Sequence, residues 1–399
     1  MKVLLAHDYY RSGAPSGEDI VFRNEQALLD SNGVEVIRYE CFNDDIDVST
    51  LGDRLRVALE GAWSKRTYRH FFELIRRKRP DVAHFHNTFP LISPSAYAAC
   101  RDNGVPVIQT LHNYRLICAS AILQRDGHPC EDCVGTSLMP ALWHRCYRNS
   151  LMATGALVWM LYRNRSRGSY QNLVNQYIAL THFAAGRLIA GGLPKERIAV
   201  KPNFLPDAPE AGRGDGGYAV YVGRLSEEKG VRNLLAAWKH VSGQTLKILG
   251  DGPLREELEK QSRQYSLSVE FLGMRTRQEV MNIVGRAELQ IIPSESYEGF
   301  PMVVLEAYAC GTPVVAARIG SLEEIVEDGK TGLLFEARNA LDLAEKVKNI
   351  RSDRRRLGAL RQGARACFEK NYTADHNYAI LMKLYNDVID DFKGSTNSQ

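Results

Sequence analysis

The sequence lacks any long hydrophobic run, because no stretch approaches the eighteen or so consecutive apolar residues of a membrane-spanning helix. It also lacks a strong excess of one charge. A formal net charge of +4 is too small to indicate nucleic-acid binding. The first residues do not resemble a signal peptide, because a short apolar run meets His7 and Asp8 at once without a cleavage site. We therefore expect a cytoplasmic protein with no nucleic acid as partner.

Two motifs of other enzyme classes are missing or unconvincing. No G-x-G-x-x-G follows the first apolar run, which argues against a dinucleotide dehydrogenase. Asp45-Ile46-Asp47 matches the D-x-D pattern of metal-dependent transferases, but it lies in a polar stretch without a clear preceding strand, so we interpret it as a loop. In a reducing cytoplasm the eight cysteines should be free, catalytic or metal-bound rather than paired in disulfides.

What the chain does have is length and a regular alternation. Its 399 residues are too many for one ordinary core. Short β-branched runs alternate with helical segments up to residue 201, and the alternation restarts after a Pro-, Gly- and charge-rich stretch at 202–217. This pattern predicts an α/β protein with two Rossmann-like, doubly wound parallel sheets. Ligands of such folds bind at the carboxyl ends of the strands.

A glycine-bearing turn follows the strand predicted at 219–222. Gly223 lets the backbone approach a ligand closely, and Arg224 and Lys229 flank the turn with positive charges. A helix start adds N–H donors and the positive end of a dipole, so the turn suits a diphosphate. An ion-paired, exposed loop is the alternative, and these residues alone do not decide between the two.

Two further turns follow predicted strands of the same half. Gly250 and Asp251 form a tight turn after 246–249, and Met274 comes just after the strand at 269–272. Both turns should lie at the same edge of the sheet as Gly223. Glycine turns occur in many strand–helix connections, so the pattern is weak by itself.

The most informative segment carries two glutamates separated by seven residues, Glu298 and Glu306. We expect Glu298 just before a helix, Pro301 in its first turn and Glu306 about two turns inside it. Carboxylates accept paired hydroxyl groups, so one suits a sugar and the other a ribose. The backbone N–H groups expected to point from the helix start toward an anion are those of Gly299, Phe300 and Met302.

In this order and spacing, the segments of residues 219–335 resemble the C-terminal half of the retaining glycosyltransferases of family four. The matching motifs are Val222-Gly223-Arg224 with Lys229-Gly230, Gly250-Asp251-Gly252-Pro253, the E-x7-E motif of Glu298 and Glu306, Gly311-Thr312-Pro313-Val314-Val315, and Glu324-Ile325-Val326 with the glycine-rich 329–334. The resemblance implies that Arg224 and Lys229 bind the diphosphate of a nucleoside-diphosphate sugar. It implies further that Glu298 holds the transferred sugar and Glu306 the ribose.

The resemblance also implies the GT-B architecture, in which two Rossmann-like domains face each other across a cleft. We expect an N-terminal acceptor domain at residues 1–203, with a cysteine-containing insertion at 115–170, and a C-terminal donor domain at 204–375. Residues 376–399 would form a helix that returns to the N-terminal domain, followed by a disordered tail beyond Gly394.

The N-terminal half matches the family less closely. Its first loop reads Pro15-Ser16-Gly17-Glu18 where family members have a Gly-Gly-x-Glu-like sequence near the donor phosphate, which makes Gly17 a candidate for phosphate contact. His112 follows the strand predicted at 107–111, where family members have a histidine near the sugar and phosphates; a purely structural histidine is the alternative. The candidate contacts to the acceptor are His86, Asn87, Asn113 and Tyr114.

The insertion contains four cysteines, Cys118, Cys130, Cys133 and Cys146. A C-x2-C pair with one cysteine on each side fits a tetrahedral zinc site that braces a loop with little core of its own. A reducible disulfide and four unrelated thiols are the alternatives. Nothing indicates an open coordination position, so we expect any zinc to be structural and catalysis to need no cofactor.

After the cysteines, an apolar segment at 151–162 is flanked by basic residues. It is too short to span a bilayer, but it suits the membrane interface with its arginines on anionic head groups. A buried helix with a solvated basic end is the alternative. The membrane interpretation implies a lipid-linked acceptor and a peripheral position at the cytoplasmic face of the inner membrane, as in the assembly of a surface polysaccharide.

We therefore predict transfer of a glycosyl group from a nucleoside-diphosphate sugar to a hydroxyl of a glycan acceptor, with retention of configuration. Cationic side chains would replace a metal ion at the diphosphate. The family is thought to use a front-face substitution in which the leaving phosphate helps to deprotonate the acceptor. A nucleotide-sugar epimerase of the same fold and a non-enzymatic, membrane-associated nucleotide-sugar-binding protein are the alternatives.

Overall fold

The computed structural model describes residues 1–10, 17–45 and 50–397, with the backbone alone for 51–55 and 395–397. It consists of two compact units. Unit 1 comprises residues 1–123, 131–203 and the C-terminal residues from 377 onward, and unit 2 comprises residues 124–130 and 204–376. Each unit contains one six-stranded parallel sheet, which confirms the α/β class that the alternation predicts.

The strands and helices follow one another as expected for such sheets. In chain order the strands are β1 (Lys2–Tyr9), β2 (Glu35–Phe42), β3 (Val82–Phe85), β4 (Val107–Leu111), β5 (Gln124–Arg125), β6 (His128–Pro129), β7 (Gln176–Ala179), β8 (Ile198–Val200), β9 (Tyr218–Val222), β10 (Thr245–Leu249), β11 (Val269–Gly273), β12 (Leu289–Ile292), β13 (Val314–Ala317) and β14 (Gly332–Phe335). The helices are α1 (Gly17–Ser31), α2 (Leu51–Ala62), α3 (Lys65–Lys78), α4 (Ser95–Asp102), α5 (Met139–Trp143), α6 (Leu151–Ser166), α7 (Ser169–Asn172), α8 (His182–Ala190), α9 (Val231–Trp238), α10 (Arg255–Gln264), α11 (Arg277–Arg286), α12 (Met302–Ala309), α13 (Ser321–Ile325), α14 (Ala340–Ser352), α15 (Arg354–Asn371) and α16 (Ala374–Asn397).

Both sheets reverse their direction of growth at one point. The first has the strand order β2-β1-β3-β4-β7-β8 and the second β11-β10-β9-β12-β13-β14, while β5 and β6 form a separate antiparallel hairpin. The reversal lies between β1 and β3 in unit 1 and between β9 and β12 in unit 2. In open α/β sheets, ligands bind beyond the carboxyl ends of the strands at this point.

The C-terminal helix α16 packs onto the first sheet, as the family resemblance implies. Its residues Leu381, Tyr385, Val388 and Ile389 share one buried cluster with residues of the strands β1, β3, β4 and β7. Burying such large side chains against a sheet contributes about 1.5–3 kcal/mol each. The last helix of the chain is therefore part of the core of unit 1.

The C-terminal segment from residue 340 onward forms three helices, α14, α15 and α16. It breaks at Asp353, whose side chain accepts a hydrogen bond from Arg356 N and so caps the start of α15. A second break falls at residues 372–373. α16 extends to Asn397, three residues past Gly394, where the sequence predicts a disordered tail. The D-x-D match lies partly outside the described residues: Asp45 ends a short 3-10 turn, whereas Ile46 and Asp47 are not described.

Candidate active site

In unit 2, the loop after β9 lies directly against the end of β12. Gly230 has φ +66°, and a Cβ atom there would lie 1.8 Å from the carbonyl oxygen of Pro293. The backbone N–H of Glu295 donates to the carbonyl of Glu228 at 2.9 Å. Only glycine combines this positive φ with so close an approach. The two loops that leave the reversal point of the sheet are therefore held side by side.

This contact brings two of the predicted site residues together. Lys229 Nζ donates to Glu298 Oε1 at 2.6 Å, and Ser294 Oγ donates to the same oxygen at 2.6 Å. Burial raises the pKa of Glu298, but the charge of Lys229 and the hydrogen bonds from Lys229 and Ser294 outweigh burial, so the pKa lies below its ordinary value. Glu298 is therefore ionised at neutral pH. Within the described residues, its Oε2 makes no hydrogen bond and remains available as an acceptor.

The second glutamate of the motif is in a different state. α12 begins at Met302, with Pro301 before it as the N-cap residue, so Glu306 lies about one turn inside the helix rather than two. Burial raises the pKa of Glu306 to about 7, with attraction to Arg277 opposing it. Among the side chains that the structure describes, none donates a hydrogen bond to this carboxyl. Glu306 is thus a half-buried acceptor without a donor.

Arg224 is exposed, and its guanidinium forms no ion pair with any described residue. The loop itself is fixed, because Tyr221 Oη donates to the carbonyl of Arg224 at 2.8 Å. Of the two cations that flank the turn, Lys229 is therefore paired inside the unit and Arg224 is available to a ligand.

The other predicted donor residues vary in how they lie. Gly250 has φ +125°, and a Cβ there would lie 2.0 Å from the carbonyl of Gly223, so the second glycine turn packs on the first. Gly250 N donates to the carbonyl of Gly273, so the turn after β10 is joined to the end of β11. The side chain of the following residue, Met274, is 72% exposed. The carboxylate of Asp251 already accepts from Gly252 N and from Arg255.

In the segment between the two glutamates, Phe300, Val304 and Leu305 are buried and have structural roles. The ring of Phe300 is buried and packs edge-on against Tyr372 at 5.7 Å between centroids. Gly299 is partly exposed before the helix start at Met302. Of this segment, only backbone groups near the start of α12 are suited to an anion.

In unit 1, the corresponding edge of the sheet carries a buried acid that sequence reasoning missed. Asp8, near the carboxyl end of β1, is fully buried and accepts from Leu91 N at 2.8 Å. Burial raises its pKa to about 8, against the hydrogen bond from Leu91, and Asp19 adds repulsion. Asp8 could have been found from the sequence, because it is a carboxylic acid at the carboxyl end of a predicted strand.

A small cavity of about 40 Å³ lies at the same edge of unit 1, and its lining includes His112, Asn113 and Glu18. Asn113 Nδ2 donates to Glu18 Oε1 at 2.7 Å, while Glu18 Oε2 is buried without a hydrogen bond from any described residue. Burial raises the pKa of Glu18 to about 7, opposed by the Asn113 hydrogen bond. Glu18 is a second acid that the sequence analysis did not single out. Gly17 is the exposed first residue of α1, and Pro15 and Ser16 lie outside the described residues.

Two of the four residues predicted to contact the acceptor are buried. His86 is 1% exposed and lines the same small cavity, and Tyr114 is 2% exposed. Contact of these two side chains with an acceptor stays a prediction. Asn87 is partly exposed, but its amide holds the loop after β3: Nδ2 donates to the carbonyl of Asp8 at 2.7 Å, and Oδ1 accepts from Phe89 N. Asn113, bonded to Glu18, keeps its place on the cavity wall.

Behind His112 lies a buried polar network. Glu25, His84 and His86 are the one group of three or more His, Cys, Asp or Glu side chains in the described ranges whose ligand atoms lie within 4.8 Å of one another. However, Lys201 Nζ donates to Glu25 at 2.9 Å, and both ring nitrogens of His84 have partners, Tyr385 Oη at 2.7 Å and Thr110 Oγ1 at 2.8 Å. An ammonium group in contact with the carboxylate opposes a metal cation, so we interpret the group as a hydrogen-bond network.

The four cysteines of the insertion were a candidate zinc site. Over residues 1–10, 17–45 and 50–397, no three of the thiols Cys118, Cys130, Cys133 and Cys146 meet the same 4.8 Å criterion. Cys118 Sγ lies 3.1 Å from Ser120 Oγ, and Cys133 packs in an apolar cluster with Leu157 and Leu161. Structural zinc at these cysteines stays a prediction.

Comparison with known proteins places the chain in a family. The model described as Glycosyltransferase Family 4 matches residues 29–208, and the model described as Glycosyl transferases group 1 matches residues 208–366. A glycosyltransferase of Methanocaldococcus jannaschii is 34% identical over 178 residues, which are 44% of this chain and 50% of the relative. Glycogen synthase of Mycobacterium tuberculosis is 29% identical over 74% of this chain and 66% of the relative. The chain thus spans between half and two thirds of these relatives.

Solved structures support the fold over nearly the whole chain. HepE from Anabaena in complex with UDP and glucose superposes with a TM-score of 0.67 at 18% identity, covering 97% of this chain and all of that one. Sucrose-phosphate synthase from Thermosynechococcus elongatus superposes with a TM-score of 0.71 at 16% identity, covering 98% and 100%. Two family models that adjoin at residue 208, on two parallel sheets and with the E-x7-E glutamates at the reversal point of the second, show that the chain belongs to the family-four glycosyltransferases with the GT-B fold.

Proposed function

We propose that unit 2 binds a nucleoside-diphosphate sugar and that the protein transfers its sugar, with retention, to a hydroxyl of a glycan acceptor. The observation that carries the proposal is the pair formed by Lys229 and Glu298 at the reversal point of the second sheet. A cation next to a carboxylate with one unused oxygen suits a ligand that is anionic at one end and rich in hydroxyls at the other. The UDP and glucose named for HepE are of this class.

In this proposal, the charges are arranged for the departure of a diphosphate. Arg224 and Lys229 would stabilise the negative charge that grows as the bond from the anomeric carbon to the diphosphate breaks. The acceptor oxygen would bond to that carbon on the same face, and its proton would pass to the leaving phosphate oxygen. Glu298 Oε2 would accept from the hydroxyls of the sugar, and Glu306 from the ribose. These cations would do the work that a divalent metal does in other transferases.

Binding of UDP-, GDP- and ADP-sugars to the full chain, measured by calorimetry, tests the donor site. We expect one nucleotide to bind in the micromolar range and the E298Q variant to lose affinity for its sugar conjugate more than for the bare diphosphate. Loss of both to the same extent would contradict the role of Glu298. Product analysis with and without acceptor separates transfer from epimerisation, and binding without transfer or hydrolysis would indicate a non-enzymatic protein.

We further propose that the acceptor is lipid-linked and that α5 and α6 of unit 1 lie on an anionic bilayer. No helix in the described part of the chain is long and apolar enough to cross a membrane. α6 buries Thr154, Leu157 and Leu161 but exposes large apolar side chains on its other face. On α6 the exposed fractions are 65% for Met152, 65% for Tyr162, 57% for Leu151 and 38% for Trp159, and Trp143 at the end of α5 is 73% exposed.

The basic residues around this apolar face favour an anionic bilayer over a second copy of the chain. Residues 139–167 contain five arginines and one histidine but no aspartate or glutamate. Two copies of such a surface would repel each other, whereas an anionic bilayer attracts it, at about 1 kcal/mol per basic residue near the surface. Exposed tryptophan and tyrosine next to arginine are typical of the membrane interface.

Co-sedimentation with vesicles tests this surface. We expect binding to vesicles of phosphatidylcholine with phosphatidylglycerol and little binding to phosphatidylcholine alone. The triple variant W143A/M152A/Y162A should bind at least about tenfold more weakly, since each apolar side chain contributes more than about 1 kcal/mol when buried. L341A, which truncates a 63%-exposed leucine in unit 2, is the matched control. Equal binding by the triple variant, or dimerisation through this face in place of vesicle binding, would contradict the proposal.

A further inference from the structure

His112 is one end of a chain of hydrogen bonds that begins at a buried ion pair. Lys201 Nζ donates to Glu25 Oε2 at 2.9 Å, and His86 Nε2 lies 3.0 Å from Glu25 Oε1. On its other side, His86 Nδ1 lies 2.9 Å from His112 Nε2. Glu25, His86 and Lys201 are each at most 1% exposed. Every inner member of the chain thus has a partner on both sides and is shielded from solvent.

The chemistry of the first link decides where each proton lies. Burial raises the pKa of Glu25, but attraction to the Lys201 ammonium and to the His84 and His86 rings outweighs burial and keeps that pKa well below its ordinary value. An ionised carboxylate only accepts hydrogen bonds, so the proton between Glu25 and His86 must be on His86 Nε2. Burial lowers the pKa of His86 to about 4, despite attraction from Glu25, so its ring is neutral.

The tautomer of His86 determines the tautomer of His112. A neutral His86 with its proton on Nε2 has a lone pair on Nδ1, so the hydrogen bond to His112 must be donated by His112 Nε2. Burial holds the pKa of His112 well below its ordinary value, so this ring is also neutral. Its Nδ1 then has a lone pair, and among the described residues nothing donates to it.

We propose that Glu25 and His86 are positioning residues that hold His112 in the tautomer protonated on Nε2, so that its Nδ1 accepts a hydrogen bond from a ligand hydroxyl. This inference rests on the proposed function for the identity of the ligand, a sugar or acceptor alcohol. It excludes one role for His112, because a lone pair at Nδ1 cannot donate to a phosphate oxygen. The histidine therefore recognises hydroxyls, while the cations of unit 2 are left to recognise phosphate.

The returning helix α16 holds the start of the chain of hydrogen bonds in place. Asn377 Oδ1 accepts from Lys201 Nζ at 3.0 Å, and Asn377 Nδ2 donates to the carbonyl of Pro202 at 2.7 Å. Tyr385 Oη lies 2.7 Å from Nδ1 of His84, the ring beside His86. The C-terminal helix thus contacts the carboxyl edge of the first sheet through hydrogen bonds as well as through its apolar face.

Nitrogen NMR of the ligand-free protein tests the tautomer without any assay of activity. Two-bond ¹⁵N–¹H correlation spectra of uniformly labelled protein distinguish a protonated from an unprotonated ring nitrogen, and an H112Q variant assigns the His112 signals. We expect Nε2 protonated and Nδ1 unprotonated in the wild type. In E25Q the new side-chain carbonyl should face Lys201 and the new NH₂ group should face His86, which reverses every link and moves the His112 proton to Nδ1.

A second variant keeps the test decisive where E25Q fails to fold. H86F retains a ring of similar size and removes the nitrogen partner without burying a charge, so His112 should populate both tautomers. Wild-type His112 protonated on Nδ1, or an unchanged His112 spectrum in both variants, would overturn the inference. H240Q, which replaces an exposed histidine of unit 2, is the control and should leave the His112 signals unchanged.

Kinetics separate this inference from the proposed function. H86F should lower kcat for transfer by about ten- to a hundredfold, the effect of one misplaced catalytic hydrogen bond, while donor affinity changes by less than about twofold. If KM rises by the same factor as kcat falls, and the unfolding midpoint is also lower, His86 has a merely structural role. If the wild type transfers no sugar from any donor, the proposed function fails, yet the predicted tautomer remains open to measurement.

Discussion

Each unit contains a lysine–glutamate pair near the reversal point of its sheet, and the two pairs differ in what surrounds them. The side chains of Lys201 and Glu25 in unit 1 are 2% and 0% exposed, and both carboxylate oxygens have protein donors. The side chains of Lys229 and Glu298 in unit 2 are 31% and 14% exposed, and one carboxylate oxygen is open. The same two residue types thus form a closed pair in one unit and an open pair in the other.

The comparison shows that burial and satisfied hydrogen bonds, rather than residue type, separate a closed pair from an open one. Each charge of a buried pair has lost its hydration and is stabilised mainly by the opposite charge. Removing either member therefore lowers the free energy of unfolding strongly. A half-exposed pair keeps water as an alternative partner, so its members can turn to a ligand at small cost. Four experiments test this difference between the two pairs and their surroundings.

The largest effect on folding is expected for K201M. It leaves the charge of Glu25 buried without its ammonium partner, and we expect the free energy of unfolding to fall by about 3–5 kcal/mol in urea denaturation. K195M, at an exposed lysine of the same unit, should change it by less than about 0.5 kcal/mol. A loss below about 1 kcal/mol in K201M would show that the closed pair contributes no more than the open one.

K229A should have the opposite profile, a small effect on folding and a large one on turnover. We expect kcat to fall by about 10²–10³ because a charge at the leaving diphosphate is lost. The free energy of unfolding should change by about 1 kcal/mol or less. K260A, at an exposed lysine of unit 2, serves as the control for both measurements. Turnover near that of the wild type would exclude Lys229 from the donor site.

The pH dependence of donor binding distinguishes Glu306 from Glu298. The pKa of Glu306 is raised to about 7, so the carboxyl is mostly protonated at pH 6 and mostly ionised at pH 8. Because the ionised form accepts ribose hydroxyls better, the Kd for the donor should fall by up to about tenfold between these values. E306Q should bind weakly with little pH dependence, whereas E256Q, at an exposed position, should follow the wild type. A wild-type Kd that rises with pH would contradict this assignment.

The smallest effect is expected for S294A. It removes one of the two donors to Glu298 Oε1 and leaves Lys229 in place. The loss of one hydrogen bond to a charged group should weaken sugar-dependent donor affinity by about three- to tenfold in calorimetry. S242A, on an exposed loop of unit 2, should have no effect. A loss as large as that of E298Q would mean that Ser294 contacts the sugar directly.

The donor side of the candidate site was largely predictable because its residues are close in the sequence to strand ends. Gly223, Lys229 and Glu298 stand directly after or near strands β9 and β12, and a parallel sheet gathers such residues at one edge. The position of Glu306 was wrong by one turn, because the sequence does not show whether Pro301 precedes the helix or opens it. Hydrophobic periodicity cannot place a helix start that precisely.

The acceptor side was much less predictable. His86 and Tyr114 follow the expected strands, yet they are buried. His86 contacts Phe22 and Glu25 of α1. Glu25 and Lys201 are 176 positions apart, and no local pattern connects them. The cysteine spacing predicts a zinc site, which stays a prediction; in the structure Cys133 and Cys146 pack at the same apolar cluster.

The sequence by itself determined the alternation of strands and helices, the two-sheet architecture and the motifs of the donor loops, because these depend on side-chain periodicity and on backbone conformations that only glycine adopts. The tertiary structure alone decided which charges are closed pairs and which remain open, and which side chains lie next to His112. Those properties depend on burial and on hydrogen bonds between residues far apart in the chain, which become defined only when the sheets and helices have packed.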